Sequence, residues 1–283
     1  MIENNNVLNK IFTKSTFKEL IEVGNERVYC SVVKRYLHDI DSKDNGHLIS
    51  EIYNIMRKEY RNEYFYKNTL LNKLLLGRHS LNTTTALTEV PIYNSKADFV
   101  LINGRAIVYE IKTELDTFER LDSQINDYYK AFNNVCVVTC ESNYKKISAI
   151  LENTNVGICI LTNRNTISER KKSIEDNSKL DYETMFKVLR KKEFESILLK
   201  HYGELPNTTQ VKYYSECFEK FKEIEIIEAY QYMIKELKKR NRIEVNEYNK
   251  YIPKELKFIA YFGNYKKGDY EKLNYFLNEK FRG

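Results

Sequence analysis

The stretch DFVLINGRAIVYEIK, residues 98–112, decides how this chain is read. β-Branched and aromatic residues fill it on both sides of Asn103-Gly104, a dipeptide that favours a tight hairpin. It reads as two antiparallel strands, over 97–102 and 105–112. The charges at its ends sit poorly with a buried sheet: Asp98 opens the stretch, and Glu110 and Lys112 close it. Side chains alternate across a strand, so Glu110 and Lys112 share one face. Ile107, Tyr109 and Ile111 take the other, which is expected to pack into the core. Beside a hydrophobic sheet, a charged pair needs a partner or a chemical role.

Asp98 offers a second carboxylate, but register decides whether it reaches the first. A strict two-residue Asn-Gly turn pairs Ile102 with Arg105 and sets Asp98 opposite Tyr109, facing away from Glu110. A shared face needs a one-residue shift. Either a three-residue turn over 102–104, with Gly104 left-handed in a bulge, or a bend at Asp98 would supply it.

Working outward, residues 7–78 read as helices. Apolar residues recur at helical spacing in Val7, Leu8 and Ile11, in Val28, Val32 and Val33, and in Leu48, Ile52 and Ile55. Gly24-Asn25 and Asp44-Asn45-Gly46 punctuate them. A longer helix is expected over 47–76, stopping at Gly77. The period changes after Thr83, and TALTEVPI (85–92) reads as the first strand. Beyond the hairpin, Asp116 and Glu119 form a capping-box pattern that opens a helix to about residue 133. Its apolar stripe is Leu121, Ile125, Tyr128 and Phe132. A strand at 135–139, a helix at 141–152 and a strand at 156–161 follow. The order β-β-β-α-β-α-β gives an α/β core with a mixed sheet. The polar stretch 164–179 is the best boundary. Residues 181–282 read as helices broken near Gly203–Pro206, Asn241 and Gly263–Gly268. The expected regions are 1–46 (N-terminal helices), 47–165 (α/β core) and 166–283 (an all-helical C-terminal region).

The 283 residues carry a formal charge of +6, a mild basic bias compatible with nucleic acid. Five cysteines occur without a C-x-x-C pair, which fits a reduced, intracellular protein. MIENNNVLNKIFTK has no signal-peptide character and no run is apolar enough for a membrane span, so a cytoplasmic protein without membrane contact is expected. No phosphate-binding Gly loop and no G-x-S-x-G elbow is present.

Two carboxylates with oxygen ligands suit Mg²⁺ or Mn²⁺. Such an ion lowers the pKa of its water and steadies charge on a phosphodiester. Lys112 can then orient or deprotonate the water, or neutralise the transition state.

Asp98, eleven residues, then Glu110-Ile111-Lys112 resembles the PD-(D/E)XK nuclease superfamily, with Ala97 where that motif often has Pro. Gln124-Ile-Asn-Asp-Tyr128 resembles the Gln-x-x-x-Tyr helix motif of its RecB-like members. The likeness covers roughly residues 50–162. It implies a restriction-endonuclease-like mixed sheet flanked by helices, with Asp98, Glu110 and the Ile111 carbonyl holding Mg²⁺ or Mn²⁺. Lys112 would act on the water or transition state, supported by Gln124 and Tyr128. The superfamily often adds a carboxylate from the helix before the sheet. Glu51, Glu59, Glu63 and Glu89 are candidates, and Glu63 is favoured because its helix leads toward the sheet. The whole chain, with segments 189–206 and 213–221 after the core, further resembles a bacterial and phage family of stand-alone members, a likeness that says nothing about activity.

The expectation is therefore a metal-dependent nuclease acting on nucleic acid, with DNA preferred, in phage defence, restriction or DNA processing. The C-terminal helices would regulate, recognise substrate, form a homodimer or engage a protein partner. The alternative is a catalytically inactive nuclease-fold module that binds nucleic acid or a protein. Three other Glu-x-Lys triplets, at 169, 236 and 255, read as solvated charges. So do Lys171-Lys172 and Lys238-Lys239-Arg240, although such runs can touch phosphates.

Overall fold

In the computed structural model, which describes residues 6–24, 27–240 and 243–282, the chain forms fourteen α-helices and six strands among those residues. The first helices are α1 (Asn6–Ile11), α2 (Lys14–Val23), α3 (Arg27–Tyr36), α4 (Asn45–Glu59) and α5 (Glu63–Leu70). Strands β1 (Thr85–Ile92), β2 (Ser95–Asn103) and β3 (Arg105–Ile111) come next. Then follow α6 (Leu121–Tyr129), β4 (Val135–Thr139), α7 (Tyr144–Ile150), β5 (Gly157–Leu161) and β6 (Ile167–Lys171). The rest is helical: α8 (Tyr182–Val188), α9 (Lys191–Tyr202), α10 (Gln210–Lys222), α11 (Ile226–Lys238), α12 (Val245–Tyr251), α13 (Lys257–Phe262) and α14 (Lys267–Asn278).

Two compact units result. One comprises Thr83–Asn241; the other joins Met1–Asn82 to Arg242–Gly283. These limits differ from the expected regions 1–46, 47–165 and 166–283. Helices α8 to α11 belong with the sheet, and the last three helices belong with the first five. In the helical unit α14 packs on α2, α4 and α12, and α13 packs on α5. Tyr29 donates to Asn45 Oδ1 at 2.7 Å, and Asn45 Nδ2 donates to the Phe276 carbonyl at 3.0 Å. Contacts between residues more than 200 positions apart leave no local signal in the sequence.

The sheet unit is mixed α/β. Its six strands lie in sequence order, β1-β2-β3-β4-β5-β6. β1, β2 and β3 are antiparallel neighbours, β3-β4 and β4-β5 are parallel, and β6 is antiparallel to β5. VCVVT and GICIL are buried at every position, as expected of parallel strands covered on both faces. β6 lies in the polar stretch read as a boundary. Its charged residues suit an edge strand, where charge discourages further pairing.

Helix α6 lies over the sheet, and its stripe Leu121, Ile125 and Tyr128 joins Val108, Val137 and Ile158 in the main core cluster. That cluster continues through Phe186, Phe194, Phe221 and Met233 of the helical layer α8 to α11. The main core therefore lies on the Glu110 face of β3, not on the opposite face as the alternation suggested. Tyr109 and Ile111 are buried as well, while Ile107 is half-buried.

Three local readings change. The helix expected over 47–76 breaks at Tyr60–Asn62, because the Asn62 side chain accepts the Phe65 N–H and starts a new helix. α5 then passes into a π-helical segment, Leu71–Leu76, and Gly77, at φ −88°, is not a left-handed stop. Asp116 does not cap α6: it accepts the Thr113 N–H and hydroxyl at 2.7 and 2.6 Å, closing a turn, and the helix begins at Leu121. The breaks read at Asn25 and Asn241 lie outside the described residues.

Candidate active site

The β2–β3 turn sets the site. Gly104 adopts φ 72°, open to glycine at little cost, and Asn103 pairs directly with Arg105 across it. The ladder runs through Ile102–Ala106 to Phe99–Tyr109. The paired residues end there, and the same register continued would set Asp98 opposite Glu110. The one-residue shift needed for a shared face is thus present. It comes from a turn centred on Gly104 alone, not from the expected loop over 102–104. Asp98 Oδ2 accepts the Ile111 N–H at 2.8 Å, which ties the end of β3 to the start of β2.

On the α6 side, four of the residues singled out by sequence form one network. Glu110 Oε1 accepts from Gln124 Nε2 at 2.6 Å and from Lys112 Nζ at 2.9 Å. Glu110 Oε2 accepts from the Tyr128 hydroxyl at 2.6 Å. Lys112 Nζ also donates to Gln124 Oε1 at 2.8 Å. Only one amide orientation of Gln124 serves both partners, since the carboxylate needs a donor and the ammonium an acceptor. Gln124 and Tyr128, four apart, project from the same side of α6. Glu110 is 1% and Lys112 8% exposed. A carboxylate so deeply buried is stable only because donors surround it. Burial, and next the Glu110 charge, hold the Tyr128 phenol far above its ordinary pKa, so it remains a donor.

Ile111 contributes its N–H to Asp98, and its side chain is buried. Glu63, the favoured additional carboxylate, belongs to the helical unit, where it opens α5 and pairs with Lys67. Glu51 pairs with Lys43. Within the sheet unit, Glu89 is the carboxylate beside Asp98: their side-chain oxygens lie within 4.8 Å. Glu89 is exposed, adopts φ 53° and pairs with Lys96 at 3.4 Å. Glu89 lies in β1 across from Asp98, between the pairs Thr88–Phe99 and Val90–Ala97.

The carboxylate oxygens of Asp98 and Glu89 are of the kind a hard divalent cation takes. Glu110 would have to loosen one of its three donors to join them. The Lys112 ammonium has three donors, two of them used by Glu110 and Gln124, and the third is suited to a phosphate oxygen.

The other Glu-x-Lys triplets are not simply solvated. Glu236 and Glu255 are buried at 9% and 3% exposure, and Lys257 at 9%. Lys171 donates to the carbonyls of Leu151 and Thr154. No helix among the described residues is long and apolar enough to cross a membrane.

A family model described as Bacteriophage P4 protein cII matches residues 56–260. No curated protein and no solved structure matches the chain. The matched span exceeds half of the sequence and takes in every strand and the whole Glu110 network, so the chain belongs to the bacteriophage P4 protein cII family.

Proposed function

We propose that the sheet unit is a metal-dependent phosphodiesterase of the PD-(D/E)XK nuclease kind, acting on nucleic acid with DNA preferred. The observation that carries this reading is the closed network of Glu110, Lys112, Gln124 and Tyr128, with Asp98 bonded to the Ile111 N–H across the hairpin. Asp98 and Glu110, with the Ile111 carbonyl, would hold Mg²⁺ or Mn²⁺. The bound cation supplies a Lewis acid and a more acidic water. Lys112 meets the charge on the scissile phosphate, Gln124 orients the Lys112 ammonium, and Tyr128 orients Glu110.

Nicking of supercoiled plasmid, with Mg²⁺, Mn²⁺ or EDTA, tests this. Cleavage should need the metal and fall at least about 100-fold in Glu110→Ala and Lys112→Ala, on the scale of removing an electrostatic catalytic group. Cleavage that survives both substitutions belongs to another site or a contaminant. No cleavage by folded wild type under any of these conditions overturns the reading.

The burial of Glu110, with both oxygens engaged, favours a second reading: a non-catalytic module of the same kind whose ion pair holds the fold. Such a module would bind nucleic acid or a protein with equal affinity in Mg²⁺ and EDTA and leave plasmid intact.

A further inference from the structure

A cleft of about 390 Å³ lies between α9 and α11 of the sheet unit, away from the Glu110 network in sequence and built from other elements. Four lysines line it: Lys200 from α9, and Lys235, Lys238 and Lys239 from α11 or its end. All four are exposed. On a helix, residues three and four apart lie about 5–6 Å from each other at Cβ, so Lys235, Lys238 and Lys239 form one compact basic group. Lys200 and Lys235 both approach the Tyr232 ring, at 5.3 and 5.8 Å.

The anionic groups nearby are already committed. Glu236, buried at the floor, accepts from Ser196 at 3.0 Å and pairs with Lys239. Glu228 accepts from the Tyr232 hydroxyl at 2.8 Å and faces His201. Lys200, Lys235 and Lys238 pair with no carboxylate in the described residues. Like charges gathered round one concave surface lower their mutual repulsion when an anion enters. The Tyr232 ring, approached by two lysines, is poorly placed to stack a base, so recognition falls to charge.

We propose that the α9–α11 cleft binds a run of phosphates, as presented by the backbone of a nucleic-acid strand, without reading its sequence. The proposal stands on the lysine geometry and does not require the Glu110 site to be catalytic. Phosphate contacts of this kind supply affinity and position, and they weaken as salt rises.

The test is fluorescence anisotropy of full-length protein with labelled single-stranded and duplex DNA of unrelated sequences, in EDTA, across a salt series. Lys200→Gln/Lys235→Gln/Lys238→Gln should bind at least about 10-fold more weakly, with the salt slope reduced by about one per lost contact. Affinity should not depend on base sequence. Lys272→Gln, at an exposed lysine of the helical unit, should bind as wild type does, so a loss in the triple variant belongs to the cleft and not to charge in general. If plasmid cleavage is absent while lysine-dependent binding holds, the nuclease reading falls and the cleft stands. Equal affinity and slope in the triple variant overturn the cleft. So does a role limited to complementing the helix dipoles, which would lower the melting temperature while leaving DNA affinity unchanged. Tight lysine-dependent binding of inorganic tripolyphosphate, with no binding of either DNA, would assign the cleft to a small phosphate ligand and overturn the nucleic-acid strand.

Discussion

The Tyr128 hydroxyl donates to Glu110 Oε2 at 2.6 Å, while the hydroxyl of its neighbour Tyr129 is buried with no hydrogen-bond partner among the described residues. Adjacent residues of one helix therefore give opposite expectations. Tyr128→Phe keeps the ring in the core but takes a donor from a buried carboxylate, at roughly 1.5–3 kcal/mol. Tyr129→Phe removes an unsatisfied polar atom and should be neutral or stabilising by up to about 1–3 kcal/mol. Urea unfolding of the two variants checks the signs. Equal effects would mean that the Glu110 bond contributes nothing to the fold.

Lys112→Met leaves Glu110 buried beside Gln124 and Tyr128 with its cation gone. The expected cost is roughly 3–5 kcal/mol. Glu110→Gln/Lys112→Met removes both charges and should recover much of that loss. A double-mutant cycle measures the coupling directly. Additive single effects would place the two charges in separate, solvated surroundings, against their burial.

The hairpin turn gives a backbone prediction. Gly104 sits at φ 72° with open space where a Cβ would go, so sterics with neighbours do not restrict it. Its own backbone does. Gly104→Val should cost about 1–2 kcal/mol, the penalty for a left-handed L-residue, and Gly104→Asn clearly less. Thermal unfolding of the pair resolves the difference; equal melting temperatures would remove the need for glycine at this turn.

The sheet was legible because its signals are local. Alternation and β-branched content fixed β1 to β5 to within two residues, and Asn103-Gly104 marked the hairpin. The hydrogen-bonded network of the candidate site was legible for the same reason: Glu110 and Lys112 are out of place on an apolar strand, and Gln124 and Tyr128 share a helix face. What escaped is what depends on distance or on one dihedral. The exact turn required knowing that Gly104 alone reverses the chain. β6 escaped because an edge strand carries polar residues. The burial of Glu236, Glu255 and Lys257 escaped because the helices that cover them come from elsewhere in the chain.

Lys257 carries a pH prediction. Burial lowers its pKa from 10.5 to about 8, although it donates to the Tyr248 carbonyl at 3.0 Å and lies over the Tyr248 ring. Between about pH 8 and 10.5 the unfolded chain holds a proton at this lysine that the folded chain has released. Stability from this group therefore rises with pH across that window, and the cost of the buried charge is greatest below it. Measurements should stop near pH 9.5, where tyrosines of raised pKa begin to act in the opposite sense. Chemical denaturation at pH 7.5 and 9.5 should show the rise in wild type and not in Lys257→Met. A rise that persists in the variant assigns the effect elsewhere.

The candidate metal ligands can be separated from the ion pair by linkage. A cation that binds only the folded state adds about 2.7 kcal/mol at a concentration 100-fold above its dissociation constant. Asp98→Asn can still accept the Ile111 N–H through its amide oxygen, so the hairpin should persist while the charge is lost. Wild type should melt higher in Mg²⁺ or Mn²⁺ than in EDTA at matched ionic strength, and Asp98→Asn should lose that gain. Glu89→Gln should lose part of it, because its carboxylate lies within 4.8 Å of that of Asp98. Glu51→Gln, whose partner is Lys43, serves as the control and should keep the full gain. If wild type and Asp98→Asn respond alike, Asp98 is a strand tie and not a ligand. The Glu110 network would then be read as a buried ion pair that holds β3 against α6.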